Sequence, residues 1–284
     1  MKKKMKIKFF NKYIYTQWSK SCAIVATVIS TIFLFLPDFS CELQFIKYIV
    51  GILLLVFLGL AYIVMYCHFK RTRFLKLKIN NTTVNVFFGD IFKLEGKKVI
   101  AFNEYFDTQV DDVIITHSSL HGQAIDNNYI KKKQFDKLVE TNSELIKGEY
   151  CDKRKSGKKQ KYIIGQIQPI DDYFALAFSK FTPQNEAYLH SNEYANCLLD
   201  MWKNLNRHYA RFVVNIPLLG AGITRIIDNQ EVTKQELLEI MLETLKISKM
   251  TFKEPSKINI VLDGGKDDEN IYDFDFVKIR EIFK

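Results

Sequence analysis

The sequence predicts an N-terminal pair of membrane-spanning helices followed by a layered α/β domain. Three observations carry that prediction: two apolar runs before residue 70, an alternation of helix and strand periodicity over the later half, and a glycine turn directly after a strand-forming run.

The first apolar run, SCAIVATVISTIFLFL at 21–36, has no charge, and the second, FIKYIVGILLLVFLGLAYIVMYCHF at 45–69, has only Lys47 near its start. At a rise of about 1.5 Å per residue the second reaches across a hydrocarbon core of about 30 Å, and the first does so with Trp18 and Phe39 at its edges. The connection PDFSCELQ, with Pro37, Asp38 and Glu42, suits a tight helical hairpin. Lys2, Lys3, Lys4, Lys6, Lys8, Lys12 and Lys20 flank one end, and Lys70, Arg71, Arg73, Lys76 and Lys78 flank the other. The positive-inside tendency then places both ends in the cytoplasm. A cleaved signal peptide is the rival reading of the first run, but no small-x-small site follows it and a second span comes at once. The expected division is a basic cytoplasmic N-terminus over 1–20, a transmembrane hairpin over 21–69 and a ligand-binding domain over 70–284, with the lipid bilayer as a partner.

The 284 residues carry a net charge of +9, from 41 Lys+Arg and 32 Asp+Glu. Residues 1–78 hold 13 of those bases and only 2 of the acids, which leaves 28 bases against 30 acids beyond them. The basic excess belongs to the flanks of the apolar runs, so no nucleic-acid partner is expected. Cys22, Cys41, Cys67, Cys151 and Cys197 show no CxxC spacing and have no histidine cluster beside them. Neither a zinc site nor a disulfide framework is indicated, and a reducing cytosol fits the large domain.

Strand-forming runs follow at FLKLKI, VNVFFGDI, KKVIAFN and DVIITHSSL, then a helical stretch over 124–145. KGEYCDKRKSGKKQK at 147–161 is lysine-rich without apolar periodicity and reads as a mobile, solvated loop. Strands are expected at YIIGQIQPI and YFALAFSKF, and a helix over 191–207 with Tyr194, Leu198, Met201 and Leu205 on one face. The strand RFVVNI, the turn PLLGAGI, a helix over 234–249, the strand INIVLD and a terminal amphipathic helix complete the chain. This alternation argues for a layered α/β domain.

Ligands of such sheets sit beyond the carboxyl ends of the strands. Gly89 with Asp90, Asn103, THSSLHG at 116–122, residues 218–222 and residues 263–265 all fall at such ends. Together they offer a carboxylate, an amide and two loops able to wrap phosphates. Glycines at a strand-to-helix turn let backbone N–H groups approach an anion. There is no Gly-Lys-Ser/Thr ending of a P-loop, and Arg225 stands where a dinucleotide fingerprint needs its third glycine. A phosphorylated polar ligand is expected; an ordinary turn is the alternative.

VNVFFGDI, KKVIAFN and, far downstream, VVNIPLLGAGI with a terminal strand and helix together resemble the macro domain, the ADP-ribose-binding module. With the apolar runs in front, the chain resembles the membrane-anchored macro effector of type II Thoeris bacterial antiphage systems. The fold implied is a two-helix transmembrane hairpin followed by an α/β/α macro-like domain with a mixed sheet, in the bacterial inner membrane. The resemblance implies that Asp90 accepts from the adenine amino group, that Ile91 lies along adenine, and that Asn103 is near the distal ribose. It implies that Leu219, Gly220, Ala221, Gly222 and Ile223 wrap the diphosphate, and that Tyr272 or Phe274 stacks on adenine. The usual glycine run of the first phosphate loop is absent. THSSLHGQA stands in its place, where Ser118, Ser119, His117 and His121 bring side-chain donors and Gly122 a close approach, behind an insertion at 104–112. That departure points away from hydrolysis and toward a ligand larger than ADP-ribose. Asp90 as a turn cap and Asn103 as an ordinary strand-end residue are the alternatives. His117 and His121 have the spacing of a metal pair on a helix, but the surrounding pattern reads as a loop, so no metal is expected.

The function implied is an antiphage sensor-effector without catalytic residues or cofactor. Its macro domain binds an ADP-ribose-derived signal, histidine-linked ADP-ribose made by a partner TIR enzyme, and binding drives homo-oligomerisation and membrane disruption. The alternatives are a tethered ADP-ribosyl hydrolase and a passive ADP-ribose-binding module.

Overall fold

A computed structural model describes residues 12–34, 44–70, 73–182, 184–222, 224–226, 232–264 and 274–283. The chain divides into two compact units, Met1–Arg73 with Tyr272–Lys284, and Phe74–Ile271.

The first unit is built from α1 (Lys12–Leu34), α2 (Gln44–Lys70) and, from the far end of the chain, α7 (Phe276–Ile282). Ile14, Tyr62 and Val277 pack together with Trp18, Met65 and Tyr66 around them. The Trp18 indole donates to the Leu58 carbonyl at 3.0 Å and meets Tyr62 edge-on at 5.7 Å. Asp275 caps α7, accepting from the Val277 and Lys278 amides. Among the described residues no helix is long and apolar enough to cross a membrane. That overturns the transmembrane hairpin expected over 21–69 and the two-span inner-membrane location, and it removes the ground for a bilayer partner. Counting apolar residues misses two things here. Helix α1 starts at Lys12 and so takes in the basic, aromatic stretch around Lys20, and residues assigned to lipid pack on one another and on α7. Ile52, Leu53, Val56, Phe57, Leu60 and Val64 remain exposed along α2.

The second unit is a nine-stranded mixed sheet with a separate hairpin. Its strands are β1 (Phe74–Ile79), β2 (Thr82–Phe88), β3 (Lys97–Asn103), β6 (Ile167–Ile170), β7 (Tyr173–Phe181), β8 (Ala187–Leu189), β9 (Val214–Pro217), β10 (Arg225–Ile226) and β11 (Ile258–Leu262). Their order is β1-β2-β11-β9-β3-β7-β8-β10, with β6 also on β7. The five central strands β2, β11, β9, β3 and β7 run parallel, while β1, β6 and β8 are antiparallel to their neighbours. A strand covered on both faces needs a continuous apolar run, and β7, YFALAFSKF, is buried along nearly its whole length. Tyr173, Ala175 and Ala177 face one core with Ile100, Phe102, Phe135 and Val139. On the opposite face Phe178 meets Tyr194 of α5 (Ser191–His208) edge-on at 5.9 Å. Helix α5 packs on α6 (Lys234–Ser248), which Thr233 and Glu236 open with a reciprocal cap.

Three local expectations change. DVIITHSSL is not a strand: Asp111 takes the Val113 and Ile114 amides, and Ile114 and Ile115 turn in against Tyr105 and Phe181. The helix expected over 124–145 is two helices, α3 (Leu120–Asp126) and α4 (Lys132–Thr141), broken where Asn128 adopts φ 55°. The lysine-rich 147–161 is not wholly a solvated loop. Its ends pair as a hairpin, β4 (Lys147–Tyr150) with β5 (Gln160–Tyr162), and Arg154 in the connection between them is 2% exposed.

Side chains in register tie the parallel strands together. Asn85 donates to Asn259 at 2.9 Å, Asn259 to Asn215 at 2.8 Å, and Asn215 to the Glu95 carbonyl at 2.8 Å. Replacing Asn215, which is wholly buried, by alanine leaves a neighbouring amide and a carbonyl without partners. The expected cost is about 1–3 kcal/mol, read in urea unfolding as a lower midpoint at unchanged slope.

Candidate functional site

The site grows from the carboxyl ends of the parallel strands. After β2, the Gly89 amide donates to the Leu262 carbonyl of β11 at 3.0 Å, and after β9 the Leu218 amide donates to the Val261 carbonyl at 3.3 Å. The loops that leave β2, β11 and β9 therefore start side by side. Asp90 caps a short 3₁₀ turn over Ile91–Lys93: its Oδ1 accepts from the Phe92 amide at 3.0 Å and its Oδ2 lies 3.4 Å from Lys93 Nζ. The carboxylate is close to half exposed, so it retains acceptor capacity toward a ligand, while Ile91 is buried and packs the turn down.

From β9 the chain runs to β10, which pairs with β8 on the far side of β7. In the sheet order β3 and β7 therefore lie between β9, which leads into the turn, and the β8–β10 pair. Gly220 has φ +82°, a conformation that favours glycine, and the Ala221 amide closes the turn on Leu218 at 3.4 Å. The buried Tyr194 hydroxyl donates to the Leu219 carbonyl at 3.0 Å, so α5 holds the turn in place. Its aromatic position was legible only as part of a helix face. A Cβ at Gly222 would meet nothing within 4 Å, so that position opens to space. Ile223 and Tyr272 lie outside the described residues.

Asn103, at the end of β3, is 2% exposed and its amide is engaged within the chain. Its Oδ1 accepts from the Tyr105 and Asp107 amides at 3.1 and 3.2 Å, and its Nδ2 donates to Asp107 Oδ2 at 2.8 Å. Asp107 is ion-paired with Arg154 at 2.6 Å, and both side chains are almost wholly buried. Beside them Lys158 pairs with Asp136 at 2.6 Å, and Lys161 with Glu104 at 3.1 Å. Burial raises the Tyr105 hydroxyl pKa well above that of a free tyrosine.

The 116–122 segment serves its own packing. Ser119 caps α3: its Oγ donates to the Thr116 carbonyl at 2.7 Å and accepts from the Gly122 amide at 2.9 Å. A Cβ at Gly122 would come within 2.3 Å of the Thr116 carbonyl, so this glycine is required by chain packing. Ser118 is exposed, and His117 binds Asp126 at 2.6 Å on the surface, which raises its pKa. His121 is buried against Phe102 and, as the neutral Nε2–H tautomer, donates to the Asp107 carbonyl at 3.1 Å. Burial pushes its pKa down to about 3. The structure thus brings Asp90, Ile91 and the 219–222 turn to one edge, sets Asn103 at the end of β3, the strand paired with β9, and makes Ser119, His121 and Gly122 supports of their own segment.

Among the described residues no group of three or more His, Cys, Asp or Glu side chains is placed to hold a metal. A separate cavity of about 470 Å³ lies between β5 and α5, lined in part by Glu104, Lys161, Lys180, Tyr188, Glu193 and Asp200. Lys180 is paired there with Glu193, which raises the lysine pKa.

A parallel-centred α/β sheet with an acidic turn after β2 and a glycine turn after β9 is a macro-type module. A family model for the macro domain of Thoeris protein ThsA matches residues 84–263. Over 280 residues the chain is 39% identical to the Thoeris protein ThsA of Bacillus amyloliquefaciens (strain Y2), covering 95% of this chain and 90% of that protein. An aspartate-to-alanine mutant of the Oceanobacillus iheyensis macrodomain aligns at 13% identity over 74% of this chain and all of its own, with a TM-score of 0.42. The chain belongs to the Thoeris ThsA macro-domain family, as its sequence motifs led us to expect.

The buried histidine sets a pH dependence. With an ordinary value near 6.5 in the unfolded chain and about 3 when folded, only the unfolded state takes up this proton between those values. Its contribution to stability is complete above pH 6.5 and is lost as pH falls toward 3, at up to about 1.4 kcal/mol per pH unit. His117, raised instead by its hydrogen bond to Asp126, acts with the opposite sign and lies at the surface. Urea unfolding at stepped pH is expected to show a shallower acid slope for His121→Gln than for the native chain.

Proposed function

We propose that this protein is the sensor of a Thoeris antiphage defence system, and that its macro domain binds an ADP-ribose-derived signal made by a partner TIR enzyme. The observation that carries the reading is the pairing of an accessible carboxylate, Asp90, with the glycine turn at 219–222 on neighbouring loops at one edge of the sheet. In this reading Asp90 accepts from the adenine amino group, Ile91 supports the base through its backbone, and the turn donates backbone amides to the diphosphate. Histidine-linked ADP-ribose is the preferred ligand. The open side at Gly222 supports a ligand that extends past the turn. Binding shifts self-association of the chain, and the exposed apolar residues along α2 are the surface such association would cover. A hydrolytic role would draw on the Asn103 amide, whose two acceptor positions already hold the Tyr105 and Asp107 amides.

Titration calorimetry of the full chain against ADP-ribose, histidine-linked ADP-ribose and NAD tests the reading, with mass spectrometry of the recovered ligand and light scattering. Binding of an ADP-ribose compound recovered intact is expected, with a ligand-dependent gain in mass. Asp90→Ala is expected to weaken binding about tenfold through a lost charge-assisted hydrogen bond. Gly222→Trp is expected to block the turn at unchanged melting temperature. Conversion of the ligand would make the protein an enzyme, and failure of all three compounds to bind would leave the glycine turn a structural one.

A further inference from the structure

We propose that Arg154 is a positioning residue for the ligand site, acting through Asp107 and Asn103 without touching the ligand. This rests on the ADP-ribose reading for what the site holds, and on the geometry alone for how the site is held.

Arg154 lies in the hairpin between β4 and β5, amid lysines, yet it is among the largest wholly buried side chains. Its guanidinium is satisfied on three sides. Nη2 donates to Asp107 Oδ2 at 2.6 Å, Nη1 to the Lys158 carbonyl at 2.6 Å, and Nε to Asn185 Oδ1 at 3.0 Å, while its plane sits 3.9 Å from the Tyr105 ring centroid. Asp107 accepts in addition from Asn103 Nδ2 at 2.8 Å and from the Lys158 amide at 2.8 Å. Asn103 in turn holds the Tyr105 and Asp107 amides. A continuous chain of guanidinium, carboxylate, side-chain amide and backbone therefore ends at the last residue of β3, the strand paired with β9, which leads into the glycine turn.

Burying an ion pair rarely adds stability over an apolar contact of the same size, because desolvation opposes the attraction. What the pair supplies is direction. The carboxylate that Arg154 orients decides which end of the Asn103 amide carries N and which carries O. That orientation in turn decides whether the Tyr105 and Asp107 amides have an acceptor. With both acceptor positions of Asn103 filled by backbone, its influence on a ligand passes through the course of 104–108. Lysine cannot reproduce this, since an ammonium offers no planar fork to three partners at once.

The test uses the full chain and ADP-ribose as the probe, with Arg154→Met, Arg154→Lys, Asn103→Ala and the Met/Ala double variant. Calorimetry, thermal unfolding and amide hydrogen exchange are measured on each. Arg154→Met and Asn103→Ala are each expected to weaken binding by about tenfold, the lower end for loss of a group that orients a binding residue. The double variant should be no weaker than the worse single, because both break one chain of contacts. The Tyr105 and Asp107 amides should exchange faster in both singles while the Ile100 amide stays protected, and Arg154→Lys should fall between native and Met. If Arg154→Met fails to fold, Arg154→Lys carries the same comparison. Unchanged affinity in a destabilised Arg154 variant would make the residue merely structural, and multiplying losses in the double variant would mean that Asn103 meets the ligand independently; either overturns the proposal. If the native chain does not bind ADP-ribose, the ligand reading fails, and hydrogen exchange alone then decides: unaltered protection of Tyr105 and Asp107 sinks the positioning role.

Discussion

Three asparagines set the level at which every loop of the site leaves the sheet. Asn85, Asn259 and Asn215 stand directly opposite one another on β2, β11 and β9, and each passes one amide hydrogen to the next. Parallel strands are held by slanted, slightly weaker ladders, and valines there would tolerate a shift that keeps the same face inward. Amides do not, because a slipped strand separates donor from acceptor within the sheet and leaves both unsatisfied. The series ends on the carbonyls of Glu95 and Lys97, at the entrance to β3. Four strands are thereby referred to one level, and Asp90, Leu218, Asp263 and Asn103 each follow within three to five residues of it.

Above that level the loops are held by polar groups brought from elsewhere. Tyr194 reaches from α5 to the Leu219 carbonyl, and Arg154 reaches from the β4–β5 hairpin to Asp107. A loop whose backbone partners lie in rigid helices and strands has little entropy left to lose when a ligand arrives, which is the general basis of preorganised sites. Gly222 differs from Gly220, since nothing packs where its side chain would be, whereas a side chain at Gly220 would meet Ile226, Leu237 and Tyr194.

Much of this was legible in the sequence, and the misreadings have a common cause. Strands β1, β2, β3, β7 and β11 and helices α5 and α6 show their own periodicity, which is local information. The strand-end positions of Asp90 and Gly220 followed from the same pattern. Partners distant in the chain were not visible. The N-terminal apolar runs were weighed residue by residue, whereas Ile14, Tyr62 and Val277 pack on one another from three parts of the sequence. The lysines around Arg154 read as a solvated segment because Asp107 and Asn185, which bury the arginine, lie 47 and 31 residues away. In THSSLHG the sequence displays donors and a glycine, but only the fold reveals that Ser119 closes a cap, that Gly122 clears the Thr116 carbonyl and that His121 is a neutral core residue.

The neutrality of His121 also bears on how the neighbouring site treats charge. In the cluster around Asp107 the acids and bases are matched: Asp107 with Arg154, Asp136 with Lys158 and Glu104 with Lys161. A protonated imidazole would add an uncompensated buried cation close to Lys158, whose field adds to burial in keeping the ring neutral. The paired side chains of this cluster therefore carry little net charge. Under the proposed function, a diphosphate would find its positive complement in the backbone amides of the glycine turn, where small partial charges are held in fixed directions. Such a site would favour recognition by shape and hydrogen-bond geometry over simple attraction of anions, as the proposed sensing of one phosphorylated signal among many requires.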